Sequence, residues 1–579
     1  MPQRNKLIIY TLAVFLAITF IIRLSGLTFS PPGFFCDETS IGYNAYSILE
    51  TGKDEKGIAF PVFFKAFGDF KNPVYIYLAT IPIKIFGLEV FSVRLTSAIL
   101  GIGSILLFIS FLYLLKKSWI FALAGGLVMS LMPWHFQFSR VAFEAISMVF
   151  FITLDMVLFT LFIKKKSAVY YFLFVLSMLV TFFTYSTGRL IVPLSALLVV
   201  IIWRKEILGV NTLNLLKRVL KNSFFVPASS AGQAISPARL PQAGEKKLQG
   251  EQISTKTSTY SIINILISIL IVALLGLILT YDHLIDPTGI LTRPHDVLII
   301  DDNPPIYIAL ERFVENYFNH LSPEFLFQHG DVNLRHSSGI SSMLFTSFFF
   351  PLLVGLVYFI GRFKKSKMAA FLVIQFFLFP IASSITVINE GAQATRTIHI
   401  VPFLAVLIIY GFWKIFNFLG QKYKYVVAAI LVFTLFESVM FYRYYFTVYP
   451  TSAGAIYNFE GGMPEAMKFA FSQKAPYYYV SMSVCKYRIE IPFFMKYSPE
   501  KFQQSLIFPN ARCLDTRKIT DPVPGSIGIF KAGDTIRHFP QEKLLKTISY
   551  SKQTVKQEAG TQRELYENKE VELYYIYKY

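Results

Sequence analysis

The chain is poor in the residues that soluble enzymes use most. Of its 579 residues only 3 are cysteine and 8 histidine, and charged side chains make up 16%. Three cysteines are too few for a disulfide framework, and no histidine stands at ligand spacing from them to make a metal site. Cys485 and Cys513 are the two that an oxidising compartment would allow to pair, whereas Cys36 reads as a small, semi-buried residue and not a nucleophile. No Walker lysine, zinc-helix motif or nucleophile elbow is present. Gly101-Ile102-Gly103 lies inside an apolar run without the rest of a dinucleotide fingerprint, so it reads as a helix-packing notch. Nothing supports a nucleotide cofactor or a nucleotide-sugar donor. Acids are scarce as well, 36 Asp and Glu against 55 Lys and Arg, for a formal charge of +19.

What the chain has instead is apolar length. Hydrophobic residues make up 54% and the mean hydropathy is +0.50, values that predict a polytopic α-helical membrane protein. About eleven runs approach the roughly 20 residues needed to cross a bilayer as helix. They lie near residues 7–24, 95–115, 118–133, 145–163, 168–185, 190–203, 261–280, 341–360, 368–387, 398–416 and 426–441. The stretch from Val74 to Phe86 is shorter and reads as interfacial, because counting it as a span would invert every later loop.

Charge placement supports that count. With the amino terminus inside, the inner loops collect about 22 Lys and Arg against about three acids, the asymmetry of the positive-inside rule. The difference matches the whole formal charge of +19, so the basic balance reports topology and not nucleic-acid binding. An odd number of spans puts the carboxyl terminus outside, in the plasma or inner membrane. Residues 1–441 then form a transmembrane domain with a first outer loop at 25–94 and a cytoplasmic loop at 204–260. Residues 442–579 form an exoplasmic α/β domain in which Tyr477 to Met482 and Val571 to Tyr577 read as strands. The first span reads as a retained anchor, since no small-x-small cleavage site follows it. From Asn222 to Thr257 the Ser, Ala, Pro, Gln and Gly content is that of a flexible linker.

The first outer loop is too long for an idle connector. After the exit turn Pro31-Pro32-Gly33 it carries the adjacent acids Asp37-Glu38, then Gly42-Tyr43-Asn44-Ala45-Tyr46, Thr51-Gly52, Gly57, Pro61, Asp69-Phe70-Lys71-Asn72-Pro73 and Val93-Arg94-Leu95. Its polar and aromatic mixture predicts short amphipathic helices lying on the membrane. In the second outer loop Arg140 and Glu144 are four apart, on one helical face, able to pair with each other or to share a polar site. Further outer arginines follow at Arg189, Arg293, Arg335 and Arg396. Guanidinium forks suit phosphate oxygens, and a positive-inside protein keeps few arginines outside, which singles out Arg189 and Arg396.

These motifs resemble the family 39/83 glycosyltransferases, lipid-carrier-dependent enzymes of the GT-C class that include protein O-mannosyltransferases and the aminoarabinose transferase of lipid A. The resemblance covers about residues 7–440 and weakens in the tail. It implies that Asp37 is the catalytic carboxylate with Glu38 its neighbour, and that Asp69 and Lys71, ahead of Pro73, are the acidic-Lys-Pro element that holds the donor phosphate. It also implies a polyprenyl-phosphate sugar donor and an acceptor hydroxyl on a protein, a lipid or a glycan. In such a transfer a base takes the acceptor proton and cations steady the departing phosphate. Asp37 is then the base, Lys71 with Arg189 and Arg396 the phosphate clamp, and Asp69, Arg140 and Glu144 the supporting polar shell. Some relatives use a divalent ion where acids and phosphate meet, and the sequence does not place one.

Two other functions stay open at this point. A ligase or polymerase on the same scaffold would take a lipid-linked oligosaccharide. A transporter or flippase would draw on Asp155 and Glu437, the two acids inside the apolar runs.

Overall fold

The computed structural model describes residues 3–67, 69–208, 248–285, 298–300, 304–340, 342–386, 391–419, 424–485, 488–505, 510–515, 522–534, 543–557 and 564–579. Seven described helices are long and apolar enough to cross a membrane: Asn5–Leu24, Val90–Lys116, Ala145–Lys165, Ile262–Tyr281, Lys367–Ser384, Ala394–Phe418 and Ala428–Thr451. Shorter apolar helices, Pro73–Phe86, Trp119–Leu131, Ala168–Phe182 and Thr346–Ile360, accompany them, as does Gly188–Leu208, kinked at Trp203. Each of the eleven apolar runs overlaps one of these helices. Their outward residues are large and apolar, such as Leu7, Leu266 and Val432, as lipid-facing helices require when every backbone group is paired internally.

Val90–Lys116 is the central strut, packed against Trp119–Leu131 and Ala145–Lys165. A Cβ on Gly101 would meet Ser139 at 2.4 Å, so the packing-notch reading of that glycine holds. The linker expected at 222–257 lies outside the described residues up to 247. From Leu248 the chain is helical through Ile285.

The two acids inside the spans are both used by the fold. Thr181 donates to Asp155 at 2.9 Å. Glu437 accepts from the backbone of Thr346 and Ser347 at 2.8 and 3.0 Å, capping the helix that follows.

The carboxyl-terminal part is an α/β unit. Strands β3 (Tyr478–Ser481), β4 (Ala511–Leu514), β5 (Ile527–Lys531), β6 (Leu544–Gln557) and β7 (Glu564–Lys578) form one sheet in the order β4-β3-β5-β7-β6. β3 runs parallel to β4 and β5, while β7 is antiparallel to β5 and β6. Both stretches read as strands in the sequence lie in this sheet. Cys485 and Cys513 are joined in a disulfide, with Cα atoms 6.0 Å apart, and Cys36 is free.

The first loop departs from the expected surface helices. Its helix Cys36–Thr51 is buried nearly all round, because short helices of the carboxyl-terminal unit, Glu490–Met495 and Pro499–Ser505, cover it. Phe34 meets Phe493 at 5.0 Å between ring centres, and Tyr43 meets Phe502 at 5.7 Å. A two-stranded hairpin, β1 (Phe64–Ala66) with β2 (Asp69–Lys71), and the helix Pro73–Phe86 complete the loop.

This junction holds a buried acid. Glu490 is fully inaccessible and its carboxylate has no hydrogen-bond donor among the described residues. Burial first, then Glu460 and Glu55, push its pKa from 4.5 up to about 8. Its folded-state pKa lies above the unfolded one, so the fold binds this proton more tightly than the open chain. The associated stability is complete below about pH 4.5 and disappears as the pH rises to about 8. The melting temperature should therefore fall from pH 6 to pH 9, and Glu490→Gln should flatten that fall. An equally steep fall in the variant would assign the effect to other groups.

Candidate active site

The site grows from the start of the helix Cys36–Thr51. Asp37 and Glu38 occupy its first turn, where unpaired backbone N–H groups and the helix dipole favour negative charge. Successive residues on a helix diverge by about 100°, and here the two carboxylates part company. Glu38 turns inward and is fully buried, as is Arg94. The Arg94 guanidinium donates to both Glu38 oxygens at 2.8 and 2.7 Å. Its remaining N–H groups go to the carbonyls of Leu27, Pro31 and Gly33 at 2.8–2.9 Å. Glu38 also accepts from the backbone of Ala142 at 2.9 Å. The pair ties the exit turn, the central strut and the second loop to one point.

Asp37 turns the other way. Its side chain is 41% exposed, and its Oδ1 accepts from Lys71 Nζ at 2.6 Å. β2 delivers Lys71, whose ammonium also lies over the Phe67 ring at 5.3 Å. Burial works against the lysine charge, but Asp37 and Glu144 outweigh it and hold the pKa above the ordinary lysine value.

Glu144 joins the same cluster through Asn72. Its carboxylate accepts from the Asn72 backbone and side chain at 2.8 and 2.9 Å. Burial pushes its pKa up to about 7, against the pull of Lys71 and of these hydrogen bonds. Arg189, at the start of Gly188–Leu208, donates to Asn72 Oδ1 at 3.2 Å and lies over Phe63 at 4.6 Å. Asp37, Lys71, Glu144 and Arg189 thus converge, with Asn72 as the hub.

The other residues expected at the site sit elsewhere. Arg140 does not pair with Glu144, because the chain between them is not helical and the two do not share a helix face. Instead it donates to the carbonyls of Ile22, Arg23, Gly26 and Ser30 at 2.7–3.1 Å, closing the end of the first span. Asp69 pairs with Ala66 through the backbone register of the hairpin, and its side chain lies outside the described residues. Arg396 stands on the short helix Ala394–Thr397 and donates to Thr386. Arg293 lies outside the described residues.

A second polar group backs onto the first. Buried Asp331 accepts from the backbone of Ala394 at 2.7 Å and from His336 Nδ1 at 2.9 Å. The His336 ring packs 5.4 Å from Phe143, which lies 5.7 Å from Phe35. Arg335 sits 4.9 Å above that same Phe35. Its Nε is buried without a hydrogen-bond partner among the described residues. Tyr449 and Gln137 fix the loop by donating to the carbonyls of Leu334 and Arg335 at 2.5 and 2.9 Å. Asn72, Arg94 and Asp331 were not singled out from the sequence, where Asn72 and Arg94 appear only inside longer motifs.

Together these features define a polytopic membrane protein with a carboxylate–lysine centre where its first long loop meets the span bundle. No family model and no curated protein matches the chain. Among solved structures it is similar to ArnT from Cupriavidus metallidurans in the apo state, at 12% identity over 90% of this chain and 92% of that one, with a TM-score of 0.46. The form of ArnT bound to undecaprenyl phosphate gives 12%, 90%, 93% and 0.45. The Archaeoglobus fulgidus oligosaccharyltransferase in complex with Zn and sulfate gives 13% identity over 83% of this chain and 61% of that one, with a TM-score of 0.44. Likeness at this level fixes neither donor nor acceptor.

Proposed function

We propose that the chain is an integral membrane glycosyltransferase that moves a sugar from a polyprenyl-phosphate donor to an acceptor hydroxyl on the outer side of the membrane. The observation that carries this reading is the Asp37–Lys71 contact of 2.6 Å, with the Asp37 side chain 41% exposed. On this reading Asp37 serves as the proton acceptor and Lys71 as the cation that holds the donor phosphate.

Asp37 takes the proton of the acceptor hydroxyl as that oxygen bonds to the anomeric carbon. The bond from that carbon to the phosphate oxygen breaks, and its electron pair leaves on the phosphate. Lys71 and Arg189 face the charge that develops there, and Asn72 with Glu144 keeps both cations in position. Glu38 with Arg94 holds the helix that aims Asp37. Among the described residues no three His, Cys, Asp or Glu side chains are placed to hold a metal ion.

Lys71→Met should raise the KM for the donor by about 10- to 100-fold, the worth of one charge-assisted hydrogen bond, with little change in the acceptor KM. An unchanged donor KM would remove Lys71 from the phosphate site. Offering short and long lipid-linked donors separates sugar transfer from oligosaccharide transfer, because a preference for the long donor contradicts the single-sugar reading.

A further inference from the structure

At the far end of the bundle three cations gather on an aromatic platform. Arg94, near the start of Val90–Lys116, lies beside the candidate site, and Lys116 follows it by about 33 Å of helix. The helices Phe349–Ile360 and Val401–Leu419 end at the same level. They approach closely there, since a Cβ on Gly411 would strike the backbone of Pro351 and one on Gly355 that of Leu407. The seam stacks Tyr358 on Tyr410, with centroids 6.1 Å apart and planes at 18°, and Trp413 stands 6.0 Å from Tyr410.

Lys116 Nζ lies 4.1 Å from the Trp413 centroid and 5.1 Å from that of Tyr410. Lys414 lies 4.8 Å from Trp413 and 4.4 Å from Tyr358, and Arg362 lies 4.9 Å from Tyr358. Lys414 and Arg362 are both within electrostatic reach of Lys116. None of the three has an acidic partner among the described residues, whereas neighbouring Lys367 is paired with Glu206 at 2.5 Å. Ring faces attract each cation singly, but they leave the mutual repulsion of three like charges uncompensated.

We propose that Lys116, Arg362 and Lys414 bind the phosphate of an anionic phospholipid head group on the membrane face opposite the candidate site. Tyrosine and tryptophan at a helix end suit the head-group level, and a basic pocket between helices suits an anionic head. Exposed Leu353, Val357 and Ile360 on the adjoining helix supply an apolar surface for the acyl chains, which favours a lipid over a soluble phosphate. The guanidinium fork takes two phosphate oxygens while the ammonium groups act as point charges.

The test compares the full chain in phosphatidylcholine nanodiscs with and without phosphatidylglycerol, and with inorganic phosphate added to the neutral discs. Native mass spectrometry reads lipid retained after transfer to neutral detergent. Phosphatidylglycerol should raise the melting temperature and remain bound, and Lys116→Gln/Lys414→Gln should retain it on the order of tenfold less. Arg362→Gln, a change at an exposed residue outside the helices, provides a second variant should the double one not fold. Equal retention by wild type and variants overturns the site. A rise produced as fully by inorganic phosphate overturns the lipid assignment.

Discussion

Asp37→Asn should slow sugar transfer by about 10²- to 10⁴-fold, the usual cost of losing a general base, while the protein stays folded. Asparagine keeps the size and one acceptor oxygen but cannot take the proton. The ion pair lost with Lys71 is 41% exposed at its Asp37 end but only 12% at its Lys71 end, so the cost in stability should lie between that of a surface pair, about 1 kcal/mol, and that of a buried one, about 3–5 kcal/mol. The two readouts together, turnover in detergent and thermal unfolding of the same preparation, separate chemistry from folding. Near-normal turnover by a folded Asp37→Asn variant would remove Asp37 from the reaction.

The neighbouring acid should behave in the opposite way. Glu38 and Arg94 are both fully buried and share two hydrogen bonds of 2.7 and 2.8 Å. Arg94→Met leaves the Glu38 carboxylate uncompensated in the interior and releases three backbone carbonyls of the exit turn. Breaking such a pair costs about 3–5 kcal/mol. The expected result is a large drop in melting temperature and in folded yield, with loss of activity following from the fold. Glu38→Gln keeps the shape and should cost less. An Arg94→Met variant that melts with the wild type would show that the pair does not hold the loop.

These adjacent acids also mark how far the sequence can be read. Asp37-Glu38 after a Pro-Pro-Gly turn announces a special loop, but nothing local says which acid faces water. Glu38 is set by Arg94, 56 residues away. The membrane helices were legible because length and apolarity alone decide them. The burial of Cys36–Thr51 was not, because its cover comes from Glu490–Met495 and Pro499–Ser505, far along the chain, and its own polar residues read as a surface helix. Lys71, Glu144 and Arg189 were identified singly, yet Asn72, which brings them together, carries no signal beyond its place before Pro73. Arg140 was misplaced by its spacing. Four residues separate it from Glu144, but the chain between them is not helical, and carbonyls at the end of the first span claim the guanidinium instead.

The most direct test of the proposed activity is sugar release from radiolabelled polyprenyl-phosphate donors by the purified protein in detergent, with a panel of donors and an acceptor-rich membrane extract. The account predicts release from at least one such donor by the wild type, slowed about 10²- to 10⁴-fold in Asp37→Asn. A folded wild-type protein that releases sugar from none of them would contradict a lipid-linked transferase and return attention to Asp155 inside the bundle.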